Sequence, residues 1–275
     1  MRIGLSTPIG SKAPLKAVLD YASNLKVSWL EIKLDKIGII DKLNDSRAVR
    51  KLRSILESYD FTYSVHAPYI DVNLASLNPY LGKASEKAVE KSLILSYKIN
   101  SRVVTVHPGR LPKDYPKEAL PKAIENSVER LRHLNSVGED LGICLSIEND
   151  HKTANRLIAG YPDQIREIIA KVGCKFTLDV GHANTLVDPI NFVELLGSDI
   201  VIVHLHDNLG ESDDHLGIGE GNIDFKRVIG SLLNHRYHGP LILEIYRQQE
   251  IEPSINRIRE ILKSWRNDDI ITRKI

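Results

Sequence analysis

The chain has 275 residues, 42% of them apolar and 27% charged, a balance typical of a globular protein, with no apolar run long enough to cross a bilayer. Its formal charge of +1 provides no global field to collect nucleic acid or an anionic membrane surface, although it leaves room for a local basic patch. Cys144 and Cys174 lack CxxC spacing, and MRIGLSTPIG has neither the apolar core nor the length of a secretory leader, so a reducing cytoplasm is the expected address.

From the amino terminus onward, short β-rich runs alternate with helix-length amphipathic segments. The strands read as RIGLST from Arg2, VSWLEIKL from Val27, FTYSVHAP from Phe61 and RVVTVHPG from Arg102. They continue as ICLSIEND from Ile143, KFTLDVGH from Lys175, DIVIVHLHDN from Asp199 and PLILEIY from Pro240. Pro14 opens the first helix after a turn containing Ser11, and Asp45 or Ser46 caps SRAVRKLRSILESY. No Pro/Gly/Ser-rich linker or composition break interrupts these units. The expectation is therefore one α/β domain over 1–275, a (β/α)8 TIM barrel, with RNDDIITRKI (266–275) as a polar tail beyond the eighth helix.

In such a barrel the strand carboxyl ends form the mouth, where active sites lie. His66 ends the third strand, His107 the fourth, Glu148 the fifth, Asp179 and His182 the sixth, His204 and His206 the seventh, and Glu244 the eighth. The stretch HLHDNLGESDDHLGIGEGN then hangs Asp213 and His215 over the same mouth. The strand beginnings carry Ile3, Val27, Tyr63, Val103, Ile143, Phe176, Ile200 and Leu241 instead, as packing requires.

Carboxylates crowded into a partly desolvated bowl repel one another, so protons or cations must accompany them, and interleaved histidines favour cations. Mixed imidazole and carboxylate ligands suit Zn, Mn, Co or Fe, whereas Mg or Ca would prefer oxygen alone. Taken singly, Glu148 before Asn149 reads equally as a helix cap, and Asp179 as a partner for a backbone amide. His133, His151, His235 and His238 read as surface or structural histidines. The joint placement points to a metal, because the interior of a parallel barrel otherwise favours branched apolar side chains.

The ordered set HAPYIDVNLAS from His66, HPG from His107, IEN from Ile147, LDVGHAN from Leu178, HLHDN from His204, DDHLGIGEGNID from Asp213 and LEIY from Leu243 resembles the xylose isomerase-like barrel superfamily. That superfamily holds sugar isomerases and epimerases and also endonuclease IV, the zinc-dependent abasic-site nuclease. In the isomerase branch the resemblance implies one divalent ion on Glu148, Asp179, His204 and Glu244, with Glu148 and Glu244 as catalytic acid and base. In the nuclease branch it implies a three-metal cluster that adds His66, His107, His182, Asp213 and His215. His206 lies one strand period beyond His204, so either is a candidate for the seventh-strand ligand, and HLHD aligns best through His204.

The nuclease pattern usually shows a serine after HPG, a cysteine-rich sixth strand and an ND pair right after the seventh-strand histidine. This chain has Arg110, LDVGH and HLHDN at those places. The resemblance therefore leans toward a sugar or sugar phosphate isomerase or epimerase, with zinc, manganese or cobalt as cofactor at one to three ions per chain. Against this, some epimerases and hydroxypyruvate isomerases place an arginine where Glu211 stands here. Substrate contacts are expected from Tyr69, Arg110 and His206, with Lys33, Glu31, Trp29 and His182 gripping sugar hydroxyls. On the nuclease reading DNA is the partner, Tyr69 stacks in the opened lesion, and Arg110 and the Lys42 to Arg53 segment touch phosphates. A third reading is an idle barrel that senses a metal or metabolite. No membrane partner is expected, and pairing into homo-oligomers stays open.

Overall fold

A computed structural model describes residues 1–7, 13–36, 42–43 and 45–272, with side chains described up to Trp265. The turn expected at Ser11 lies outside the described residues. Parallel strands close into an eight-stranded barrel: β1 (Arg2–Ser6), β2 (Trp29–Lys33), β3 (Thr62–His66), β4 (Val103–Val106), β5 (Cys144–Glu148), β6 (Lys175–Asp179), β7 (Ile200–Leu205) and β8 (Pro240–Leu243). β1 pairs with β2 on one side and β8 on the other, which closes the (β/α)8 TIM barrel. No described helix is long and apolar enough to cross a membrane.

The helices form the outer ring because each carries one apolar stripe. Ser46–Glu57 buries Val49, Leu52 and Leu56, spaced by three and four residues, and its amino end is capped by Asp45, whose side chain accepts from Arg47 N. The last helix, Gln248–Thr272, runs through residues read as a tail. Nothing between Arg266 and Thr272 is a glycine or proline, so propagation from the preceding turns outweighs the polar composition. A two-residue antiparallel pair, Arg110–Leu111 with Arg156–Leu157, joins the loops after β4 and β5. Strands that short leave no periodicity to read.

Inside the barrel, Trp29, Ile202 and Ile242 fill the amino-terminal end with Val103 packed against them. Gly4 faces them, since a Cβ there would sit 2.6 Å from Ile242 Cδ1 and 2.8 Å from Trp29 O. Nearer the mouth the interior is polar, not branched and apolar as expected. Glu31, Ser64, Thr105, Ser146 and Thr177 are all wholly buried. Ser64 Oγ donates to Glu31 Oε2 at 3.0 Å, and Thr177 Oγ1 lies 3.1 Å from Thr105 Oγ1 and 2.8 Å from Ser146 Oγ. A carboxylate at that depth requires hydroxyl donors, and the strand period of two places them on the inward face.

Candidate metal centre

The residues picked from the sequence converge at the strand carboxyl ends. His66, Glu148 and Asp179 close β3, β5 and β6, while His107 and Glu244 stand one residue past β4 and β8. His204 is inside β7 and His206 just beyond it. His182 is not a strand-end residue: it rides on the short helix Val180–Asn184, which Asp179 caps by accepting from His182 N at 2.7 Å. That turn swings its ring back toward the mouth. Asp213 and His215 arrive from the loop after β7, which folds back through the Asp207–Leu216 bridge. Asp207 organises this loop by accepting from the amides of Asn208, Gly219 and Ile223.

Ligand atoms lie within 4.8 Å of one another in several sets: His66, His107 and Glu148; Glu148, Asp179 and His182; Glu31, His204 and Glu244; and His182, His206, Asp213 and His215. Outer hydrogen bonds aim three of the rings. The Nδ1–H groups of His66, His182 and His215 donate to the carbonyls of Ala67, Asn149 and Glu244 at 2.8, 2.8 and 2.6 Å. This turns each Nε2 lone pair inward: His66 Nε2 is 3.0 Å from Glu148 Oε2, His215 Nε2 3.2 Å and His182 Nε2 3.5 Å from Asp213 Oδ2. His107 Nε2 is 2.8 Å from the same Glu148 oxygen. A lone pair facing a carboxylate at such range needs a proton or a metal ion between them, and this outer fixing is the usual support of metal-bound histidine.

His204 Nδ1 faces Glu148 Oε1 at 2.6 Å, Glu244 Oε1 at 3.5 Å and Asp179 Oδ2 at 3.8 Å. Its Nε2 is 2.8 Å from Glu31 Oε1 but out of line for a hydrogen bond, so both atoms lack a partner. Asp179 Oδ2, Asp213 Oδ1, Glu244 Oε1 and both nitrogens of His206 are likewise buried without one. So many unpaired donors and acceptors aimed at one space fit the donor set that a divalent ion requires.

The electrostatics agree. Burial alone would lower the pKa of His182 and His204, yet the carboxylates around them hold both well above the ordinary imidazole value. His107 rises to about 8 because Glu148 and Asp150 outweigh its burial. Burial would raise Glu148 and Asp179, and neighbouring histidines pull both down instead. In the metal-free protein, protons must occupy the space between these groups.

The remaining expected contacts divide. Lys33 Nζ binds Glu244 Oε2 at 2.6 Å, and Tyr69 lies edge-on to His66 and stacked on His107, each with ring centroids 5.2 Å apart. Lys33, Tyr69, Glu244 and His215 join Ser6, Thr7, Asp35 and Tyr246 around a cavity of about 380 Å³ at the mouth. Trp29 cannot grip a hydroxyl, because it is buried and donates to Ser64 Oγ at 2.9 Å. Glu31 is sealed inside the barrel. Arg110 does not reach outward either: it is clamped by both oxygens of buried Asp150, with Nε to Oδ2 at 2.8 Å, and Asp150 Oδ1 stands 3.8 Å behind His107 Nδ1. Arg50 and Arg53 line a groove with Lys98 and Arg102 on the outside of the barrel. Asp150 and Asp207 support the site and were not singled out for it from sequence, whereas Glu31, expected to grip a hydroxyl, supports it from inside the barrel instead.

Fold and site together define a TIM barrel whose mouth carries clustered candidate metal-binding groups. The chain belongs to the xylose isomerase-like TIM barrel family, whose profile matches residues 19–267. It is 32% identical over 281 residues to an uncharacterized protein of Methanocaldococcus jannaschii, covering 100% of this chain and 92% of that one. It is 28% identical over 174 residues to a probable endonuclease 4 of Mycobacterium bovis, covering 58% of this chain and 64% of that protein. Among solved structures it resembles a D-tagatose 3-epimerase-like protein with a TM-score of 0.89 and 27% identity, covering 98% and 99% of the two chains.

Proposed function

We propose that the protein is a divalent-metal-dependent isomerase or epimerase of a small sugar or sugar phosphate. The observation that carries this reading is the cavity of about 380 Å³ that places Glu244 and Lys33 at its wall, a size that suits a small polar molecule. The likeness to a D-tagatose 3-epimerase-like protein supports it. Glu148, Asp179, His204 and Glu244 would hold the ion, zinc, manganese or cobalt by their mixed nitrogen and oxygen donors. When bound, the ion supplies Lewis-acid polarisation of the substrate carbonyl.

The protein's own residues perform the proton transfers. Burial would raise the Glu244 carboxyl, but Lys33 and His204 hold it ionised, fit to accept a proton from the carbon next to the carbonyl. Glu148 is the second carboxylate, held in place by His66, His107 and His204, and it handles the proton on the opposite side. Tyr69 and Tyr246 wall the cavity and limit water. The test is incubation of metal-loaded protein with a panel of ketoses and their phosphates in deuterated water. Deuterium is expected at the carbon next to the carbonyl of the true substrate, and a panel with neither conversion nor exchange contradicts the reading.

A second reading, hydrolysis of phosphodiesters at abasic DNA, is favoured by one observation: His66, His107, His182, Asp213 and His215 all join the same centre. The similarity to a probable endonuclease 4 supports it. Against it, Arg110 is engaged by Asp150, and Arg50 and Arg53 line a groove on the outside of the barrel. Nicking of an abasic duplex by metal-loaded protein at low salt would reverse the preference.

A further inference from the structure

The loop-side set holds one donor more than the nuclease-like pattern asks for, and that donor is His206. Its side chain is wholly buried, yet neither ring nitrogen has a hydrogen-bond partner. An imidazole left this way destabilises the fold unless a ligand meets its nitrogens. Its Nε2 points between two carboxylates, 3.1 Å from Asp179 Oδ1 and 3.4 Å from Asp213 Oδ1. The backbone makes room for this ring at Gly181, where a Cβ would fall 1.9 Å from His206 Cε1. His182 and His215 already have their Nε2 atoms turned to Asp213 by bonds from Nδ1 to main-chain carbonyls.

We propose that His182, His206, Asp213 and His215 form a closed four-ligand site for a divalent transition ion, with His206 as the fourth ligand and a structural role. Three imidazoles and one carboxylate suit zinc, and four protein ligands leave no open position for substrate or water, which separates structural from catalytic zinc sites. The ligands come from the short helix after β6, the end of β7 and the loop beyond it, so the ion fastens that loop to the barrel. His215 also stacks on Tyr246 with ring centroids 4.2 Å apart, so the same ion fixes one wall of the cavity. His206 is then neither a substrate contact nor the ligand shared with Glu148 and Glu244. That place belongs to His204, whose Nδ1 faces them. The assignment does not depend on which reaction the mouth performs.

The test is loading with Co(II), read by metal analysis, visible absorption and thermal melting. Wild-type protein is expected to show the intense visible bands of four-coordinate Co(II). His206→Gln is expected to bind one ion fewer per chain, to lose those bands and to melt at lower temperature than metal-loaded wild type. A natively folded His206→Gln protein with unchanged ion count and spectrum overturns the proposal. So does wild-type protein in which only weak, higher-coordinate bands appear at full loading, a result that holds even if the variant does not fold.

Discussion

Glu148→Gln is expected to lower turnover by about 10² to 10⁴, the range that a positioned acid or base contributes, and to lose metal besides. Both oxygens of this carboxylate are engaged: Oε1 with His204 Nδ1 at 2.6 Å, Oε2 with His66 and His107 at 3.0 and 2.8 Å. Gln has nearly the same shape, so packing survives. Its amide carries no charge, however, and would face His204 and His107, whose protonation the carboxylate sustains. Steady-state kinetics on the substrate found in the ketose panel, with metal analysis of the same sample, checks the outcome. A variant with wild-type rate and wild-type metal content contradicts the role given to Glu148.

Chelation is expected to lower the melting temperature. An ion present at about 100 times its dissociation constant stabilises the fold by about 2.7 kcal/mol. For a chain of this size about 1 kcal/mol corresponds to roughly 2–4 °C, so each such ion is worth roughly 5–11 °C. Removing ions leaves Glu31, Glu148, Asp179, Asp213 and Glu244 to be balanced by Lys33 and by protons on histidine. His107 at about 8, with His182 and His204 raised well above their ordinary value, means that these rings carry protons at neutral pH in the metal-free protein. Ion uptake must expel those protons, so apparent affinity rises as pH is raised through about 8, where His107 titrates, and goes on rising while His182 and His204 still hold theirs. Differential scanning calorimetry with and without a chelator, and titration calorimetry across pH, measure both effects. A melting temperature indifferent to chelation, or affinity that falls with rising pH, contradicts the metal assignment.

The barrel was legible because β-rich runs recur at regular spacing, and the mouth because most of its polar groups stand at or just past the carboxyl ends of those runs. His66, Glu148 and Asp179 are placed by strand register alone. The supporting layer was hidden for a different reason. Alternation says that Glu31 and Ser64 face inward, but not how deep in the barrel they lie, and depth decides whether a carboxylate meets substrate or a ring of hydroxyls. Asp150 resembles any residue after a strand end until the antiparallel pair of Arg110–Leu111 and Arg156–Leu157 brings Arg110 across to it. The burial of the His206 ring depends on its steric match to Gly181, a contact between the residue after β7 and the turn after β6 that sequence spacing does not encode.

The most direct test of the account is a crystal of zinc-loaded protein with data collected at the zinc absorption edge. The account predicts one anomalous peak among Glu148, Asp179, His204 and Glu244, and another among His182, His206, Asp213 and His215. Strand-end groups that hold no ion after loading, with zinc found only on the surface or not at all, would contradict it.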